Sequence, residues 1–80
     1  MKVLAIIKQV EIGVGDYGQA ALWFSAYTSE RCAALQIFGW EQAKAVIEAA
    51  GVRSVLSLEG RSCWVEEGDG MIRFIEMAKI

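Results

Sequence analysis

With 80 residues, eight basic and ten acidic side chains and no histidine, the chain sets up no strong positive field of the kind that holds nucleic acid through counterion release. Its two cysteines, Cys32 and Cys63, lie far apart in the sequence without a close-spaced ligand pair, which argues against a structural metal. Apolar residues make up 55% of the chain, more than one small domain readily covers, so a partner surface is expected.

The opening stretch places only five apolar residues between Lys2 and Lys8, too few for a leader or for a membrane span of about 20 residues. A soluble, cytoplasmic protein is the expectation. Proline is absent and no linker or repeat interrupts the chain, so residues 1–80 are expected to form one compact domain.

Residues 2–12 are rich in Val and Ile and predict a first strand, with Leu4, Ile6, Val10 and Ile12 on one face and Lys8 interrupting it. The string Gly13-Val14-Gly15-Asp16-Tyr17-Gly18 then breaks the strand. Residues 20–28 predict a second, antiparallel strand, with Leu22, Phe24 and Ala26 on one side and Trp23, Ser25 and Tyr27 on the other. Residues 31–38 alternate Ala33, Leu35 and Ile37 against Ala34, Gln36 and Phe38, a third strand.

The period then changes. Between residues 40 and 50 the apolar set Ala43, Val46, Ile47 and Ala50 follows i, i+3, i+4, i+7, which predicts a helix, with Trp40 packed at its start. Gly51 stands where a left-handed cap is needed, and Val52 can add the accompanying apolar contact. Residues 54–58 read as a helical turn capped by Ser54 in preference to an extended connection. Residues 61–66 and 71–77 predict a closing hairpin around Glu67-Gly68-Asp69-Gly70. The expected fold is α+β: a mainly antiparallel sheet of five strands in the order βββαββ, with one helix on one face.

The glycine string has the G-x-G-x-x-G pattern of dinucleotide sites, but that chemistry requires its last glycine to open a helix, and the next segment reads as a strand. A small nucleotide or ligand binder using this loop stands as the alternative from another class. Nucleophilic catalysis would need a base beside Cys32, Cys63 or a serine, and there is no imidazole to supply one. Cys63 reads as a small buried hydrophobe on the face opposite Trp64. A Cys32 to Cys63 disulfide is disfavoured in a reducing compartment, where free, buried thiols are the commoner outcome. Glu66 and Glu76 are candidates to oppose each other in the last hairpin, an ordinary exposed pair. No catalytic residue, cofactor or metal is expected.

The remaining signal is aromatic. A helix covers one face of a sheet, and Trp23, Tyr27 and Trp64 are candidates for the uncovered one, where large aromatics mark contact surfaces. Glu66, Glu67 and Asp69, close together near a turn, are candidates for a polar rim. The expected activity is protein binding, to another protein or to a second copy in a homodimer, without direct nucleic-acid or membrane contact.

Three strings carry a resemblance: Gly15-Asp16-Tyr17-Gly18 followed by Leu22-Trp23-Phe24, then Ile47-Glu48-Ala49-Ala50-Gly51-Val52, then Leu58-Glu59-Gly60-Arg61 before Cys63-Trp64-Val65. From Val10 to Ile75 the chain resembles small uncharacterised bacteriophage and prophage proteins. It departs from them after the second strand, where Ala33-Ala34-Leu35-Gln36-Ile37-Phe38-Gly39 replaces a glycine-rich segment. The resemblance implies an anti-defence role in the cytoplasm of a host bacterium, by binding a host defence effector as anti-CRISPR inhibitors do, or a structural or regulatory phage dimer.

Overall fold

The computed structural model describes residues 1–14 and 18–78. Five strands form one sheet: β1 (Lys2–Val14), β2 (Ala20–Ser29), β3 (Cys32–Gly39), β4 (Ser62–Gly68) and β5 (Met71–Met77). One helix, α1 (Trp40–Ala50), and a 3-10 turn, Val55–Leu58, connect β3 to β4. The sheet order is β3-β2-β1-β4-β5 and each neighbouring pair is antiparallel. The architecture is the α+β fold that the hydrophobic periodicities predict.

β1 holds the sheet together by pairing at its start with β4, Leu4 opposite Trp64, and over most of its length with β2, Ile12 opposite Leu22. The two halves are out of phase. Ala5 and Ile7 point into the core, then a bulge between Lys8 and Glu11 brings Val10 inward. Gln9 occupies the left-handed region at φ 60, as a bulge with an extra residue requires. This corrects the sequence expectation of a single shared face: Leu4 and Ile6 lie outside, exposed, and only after the bulge does the even-numbered set turn toward the core side. The carboxylate of Glu59 holds the bulge, accepting from the backbone N–H groups of Gln9 at 3.1 Å and Val10 at 3.2 Å.

The core lies on the inner side of the curled sheet and is built from Ala5, Ile7, Leu22, Phe24, Ala26, Phe38, Cys63, Val65 and Met77, closed by Ala43, Val46 and Ala50 of α1 and by Leu58. β5 contributes both Phe74 and Met77 because a second bulge, opposite the Trp64–Val65 step, shifts its register. Phe24, Phe38 and Phe74 stack into one aromatic cluster with ring centroids 5.1 to 5.9 Å apart. Burying large apolar rings of this kind is the main favourable term available to a chain this short.

α1 is amphipathic along the predicted positions and ends at Gly51, whose φ of 69 and ψ of 26 are left-handed and whose N–H reaches the carbonyls of Ile47 and Glu48. Trp40 is a correction. It starts the helix but is 45% exposed, since the buried face of the helix runs through Ala43, Val46 and Ala50 and Trp40 lies off it. Ser54 caps the 3-10 turn, its hydroxyl accepting from the N–H of Leu56 at 3.2 Å. The last hairpin is tighter than the four-residue loop expected. Gly68 pairs with Met71, leaving Asp69 and Gly70 as the two loop residues, at φ 52 and 75, the positive pair that a type I′ turn needs.

The first hairpin loop is placed only in part. β1 extends to Val14, past the expected break, so Gly13 and Val14 are strand residues, while Gly15, Asp16 and Tyr17 lie outside the described residues. Cys32 and Cys63 are both free thiols. Cys63 is buried, as expected of a small hydrophobe, whereas Cys32, at the exposed start of β3, is not. Glu66 faces Arg73 and Glu76 faces Trp64, so the two glutamates do not oppose each other.

Candidate functional site: the outer face of the sheet

Alternation on the strands sends one set of side chains away from the core, and cross-strand pairing assembles them into rows. From β3 come Ala33, Leu35 and Ile37; from β2, Tyr27, Ser25 and Trp23; from β1, Leu4, Ile6, Lys8 and Glu11; from β4, Ser62, Trp64 and Glu66. Trp23 lies opposite Ile37 and Glu11, Tyr27 opposite Ala33 and Ile6, and Trp64 opposite Leu4. All three candidate aromatics therefore share the face that α1 does not cover, each half-buried by its neighbours.

The face is unusually apolar for solvent contact. Leu35 is 57% and Ile37 66% exposed, and Leu4 and Ile6 are open as well. Two shallow hollows indent it. One, of about 310 Å³, is lined by Gln9, Glu11, Trp23, Ser25 and Leu35; the other, of about 320 Å³, by Leu4, Ile6, Lys8 and Tyr27 with the start of the β2–β3 turn.

Local contacts fix each ring. The indole N–H of Trp23 donates to Glu11 at 2.8 Å, and Ser25 donates to the amide oxygen of Gln9 at 3.1 Å, tying the first hollow's floor to the β1 bulge. The ammonium of Lys8 lies 5.1 Å from the Tyr27 ring centroid, and that of Lys2 lies 5.1 Å from Trp64, both within cation–π range. Lys2 also reaches Glu76 at 3.4 Å.

The three acidic candidates do not act as one group. Glu66 shares the outer face with Trp64 and binds the Met1 amino group at 2.6 Å. Glu67 lies next along β4, and its carbonyl accepts from the same amino group at 2.8 Å. Asp69 is one of the two hairpin residues, with a backbone role of its own. Only Glu66 borders the Trp64 end of the aromatic face; by strand alternation Glu67 belongs to the opposite face with Val65.

The chemistry available elsewhere is sparse. Burial pushes the Cys63 thiol up to about 11, which makes it a poor nucleophile at neutral pH. Among the described residues no group of three His, Cys, Asp or Glu side chains could hold a metal ion. Among the same residues no helix is long and apolar enough to cross a membrane. Among the described residues, the strand or α-helix that follows Gly18 is β2, so the chain does not continue from this string into an α-helix as a dinucleotide site requires.

Sequence reasoning missed the neighbours that complete the face. Alternation alone places Leu4 and Ile6 on the same side as Val10 and Ile12, because the bulge at Gln9 leaves little trace beyond the lysine that interrupts the apolar pattern. Glu11, which orients Trp23, carried no signal, since one glutamate near a strand end is unremarkable until the register is known. No family model, curated protein or solved structure matches the chain.

Proposed function

We propose that this chain is a non-enzymatic binding protein that docks on another protein through the outer face of β1, β2, β3 and β4. The observation that carries this reading is the pair of exposed apolar clusters on one face, Leu4 and Ile6 on β1 and Leu35 and Ile37 on β3, with Trp23 and Tyr27 of β2 between them and Trp64 beside Leu4, all left uncovered by α1. Large apolar patches interleaved with aromatics are the compositional mark of interface centres. The resemblance of residues 10–75 to bacteriophage and prophage proteins supports an occupant of a particular kind: a component of a bacterial defence complex such as a CRISPR–Cas effector, met in the host cytoplasm. Glu66, beside Trp64 on the outer face, supplies the polar rim there, where charge sets association rate more than affinity.

The test is phage plaquing on a host with an active CRISPR–Cas system, combined with co-purification of the effector. Wild-type protein raises plaquing and retains the effector. Trp23→Ala, Tyr27→Ala and Trp64→Ala each weaken binding by roughly 30-fold, the equivalent of about 2 kcal/mol at an aromatic anchor. Full activity in all three folded variants, or wild-type protein that neither protects phage nor retains an effector, defeats the reading. Sedimentation across a concentration series identifies the alternative occupant, a second copy of the chain.

A second reading draws on two specific features. A five-stranded, partly open barrel is an architecture on which oligonucleotides bind across the second and third strands, and here Tyr27 and Trp64 each carry a lysine ammonium beside the ring. A base stacked on each ring would set a phosphate near the cation. The net charge of −2 and the Lys2–Glu76 pair weigh against it. Anisotropy of a labelled oligothymidylate separates the two: binding that falls steeply with salt replaces the protein-docking reading, and no binding leaves it in place.

A further inference from the structure

The two outermost strands of the sheet, β3 and β5, come together across the core, yet the strand order has no backbone ladder between them. One side chain spans the gap. Gln36 projects from β3 and donates its amide N–H to the Ile72 carbonyl at 2.9 Å, while its amide oxygen accepts from the Phe74 N–H at 3.0 Å. A carboxamide presents the same donor and acceptor as a peptide group, so Gln36 takes the place on the β5 edge that a neighbouring strand would occupy. It is the buried polar side chain of the core, and no buried side-chain polar atom among the described residues lacks a partner.

Below the amide, the rings of Phe38 and Phe74 meet edge-on, 5.1 Å apart at 83°. Beside it the packing is thin. An open hollow of about 440 Å³ lies between the seam and α1, where Phe38, Val46 and Phe74 are joined by the polar side chains of Gln36, Gln42 and Arg73. β5 is thus held by its ladder to β4, by Phe74 and Met77 in the core, by the exposed Lys2–Glu76 pair and by one side-chain amide, whereas β1 is laddered to β4 over Lys2–Ile6 and to β2 over Ile6–Val14.

We propose that the Gln36 amide is a latch that closes the barrel, and that its release is the easiest opening of the fold. In that opening the β4–β5 hairpin swings away from β3 and α1 while β1, β2 and β3 stay paired, separating the Phe38 and Phe74 rings and freeing the β5 edge. An unpaired strand edge beside exposed apolar rings is a site where another strand can add, so the latch also guards against edge-to-edge association.

Amide hydrogen exchange tests this in two ways. In wild-type protein at sub-denaturing urea, β5 amides exchange through an opening with a weaker urea dependence than that of the Ile7 and Phe24 amides; exchange of every amide through global unfolding overturns the latch. In Gln36→Leu, the Phe74 amide exchanges at least roughly tenfold faster, the loss expected for one hydrogen bond, while Ile7 and Phe24 keep their protection. Unchanged Phe74 exchange, or equal acceleration at all three, overturns it. Should Gln36→Leu fail to fold, the wild-type urea series decides alone.

Discussion

The indole of Trp23 covers Gly13. A Cβ built on Gly13 would lie 2.8 Å from the Trp23 Cη2, 3.5 Å from Cζ3 and 3.7 Å from Cζ2, so the absence of a side chain there lets the ring reach back along β1 to Glu11. Gly13→Ala forces the ring away and breaks the bond to Glu11. The expected outcome is a shift of the Trp23 indole N–H resonance, a stability loss of about 1 kcal/mol, and weaker partner binding than wild type with the sheet otherwise intact. An unmoved indole resonance would show that the ring is placed by something other than Gly13.

Glu59 fastens the β1 bulge from the far side of the chain, through two backbone donors. Glu59→Ala leaves the Gln9 and Val10 N–H groups without this acceptor. It is expected to lower stability by about 2 kcal/mol, in the range for hydrogen bonds to a charged group. Urea unfolding checks this as a lower midpoint at unchanged slope.

The buried Cys63 thiol has its ionisation raised from the model-compound value of 9.0 to about 11 by desolvation. The unfolded chain therefore loses this proton first, while the folded chain keeps it. The thiol's contribution is complete below pH 9 and is lost as pH rises toward 11, an effect of about 2 kcal/mol. Cys63→Ala removes that slope. At neutral pH a thiol reagent is expected to modify Cys32, which is exposed, and to leave Cys63 untouched in the folded protein.

The Asp69 and Gly70 pair sets the β4–β5 register through two positive φ angles. Gly70→Val places a β-branched residue in the left-handed region and is expected to cost about 2 kcal/mol. Asp69→Asn keeps the turn, since both residue types tolerate that conformation, and its thermal midpoint stays within a degree or two of wild type. An effect of Asp69→Asn on association rate alone then reports a rim contact.

Local pattern was enough to determine the number and order of the elements. Leu22, Phe24 and Ala26 alternate cleanly and do face the core; Ala43, Val46 and Ala50 repeat at the helical period and are buried; Gly51 caps the helix as its position implies. The same alternation separated Trp23 and Tyr27 from the core of β2 and Trp64 from Cys63 on β4. Each of these signals depends on residues within a turn or two of one another, so the sequence displays them directly.

What only the tertiary structure decided depends on groups that meet across the chain. The bulge at Gln9 reverses the faces of β1 and brings Leu4 and Ile6 onto the aromatic side, and its anchor, Glu59, lies 50 residues from Gln9. The seam is closed by Gln36 and Phe74, 38 residues apart, and a glutamine on the inward face of β3 gave only the hint of a polar group needing a partner. Periodicity records which way a side chain points relative to its neighbours in sequence, but a change of phase or the closing of an edge is set by hydrogen bonds between distant segments, and these exist only once the sheet has curled.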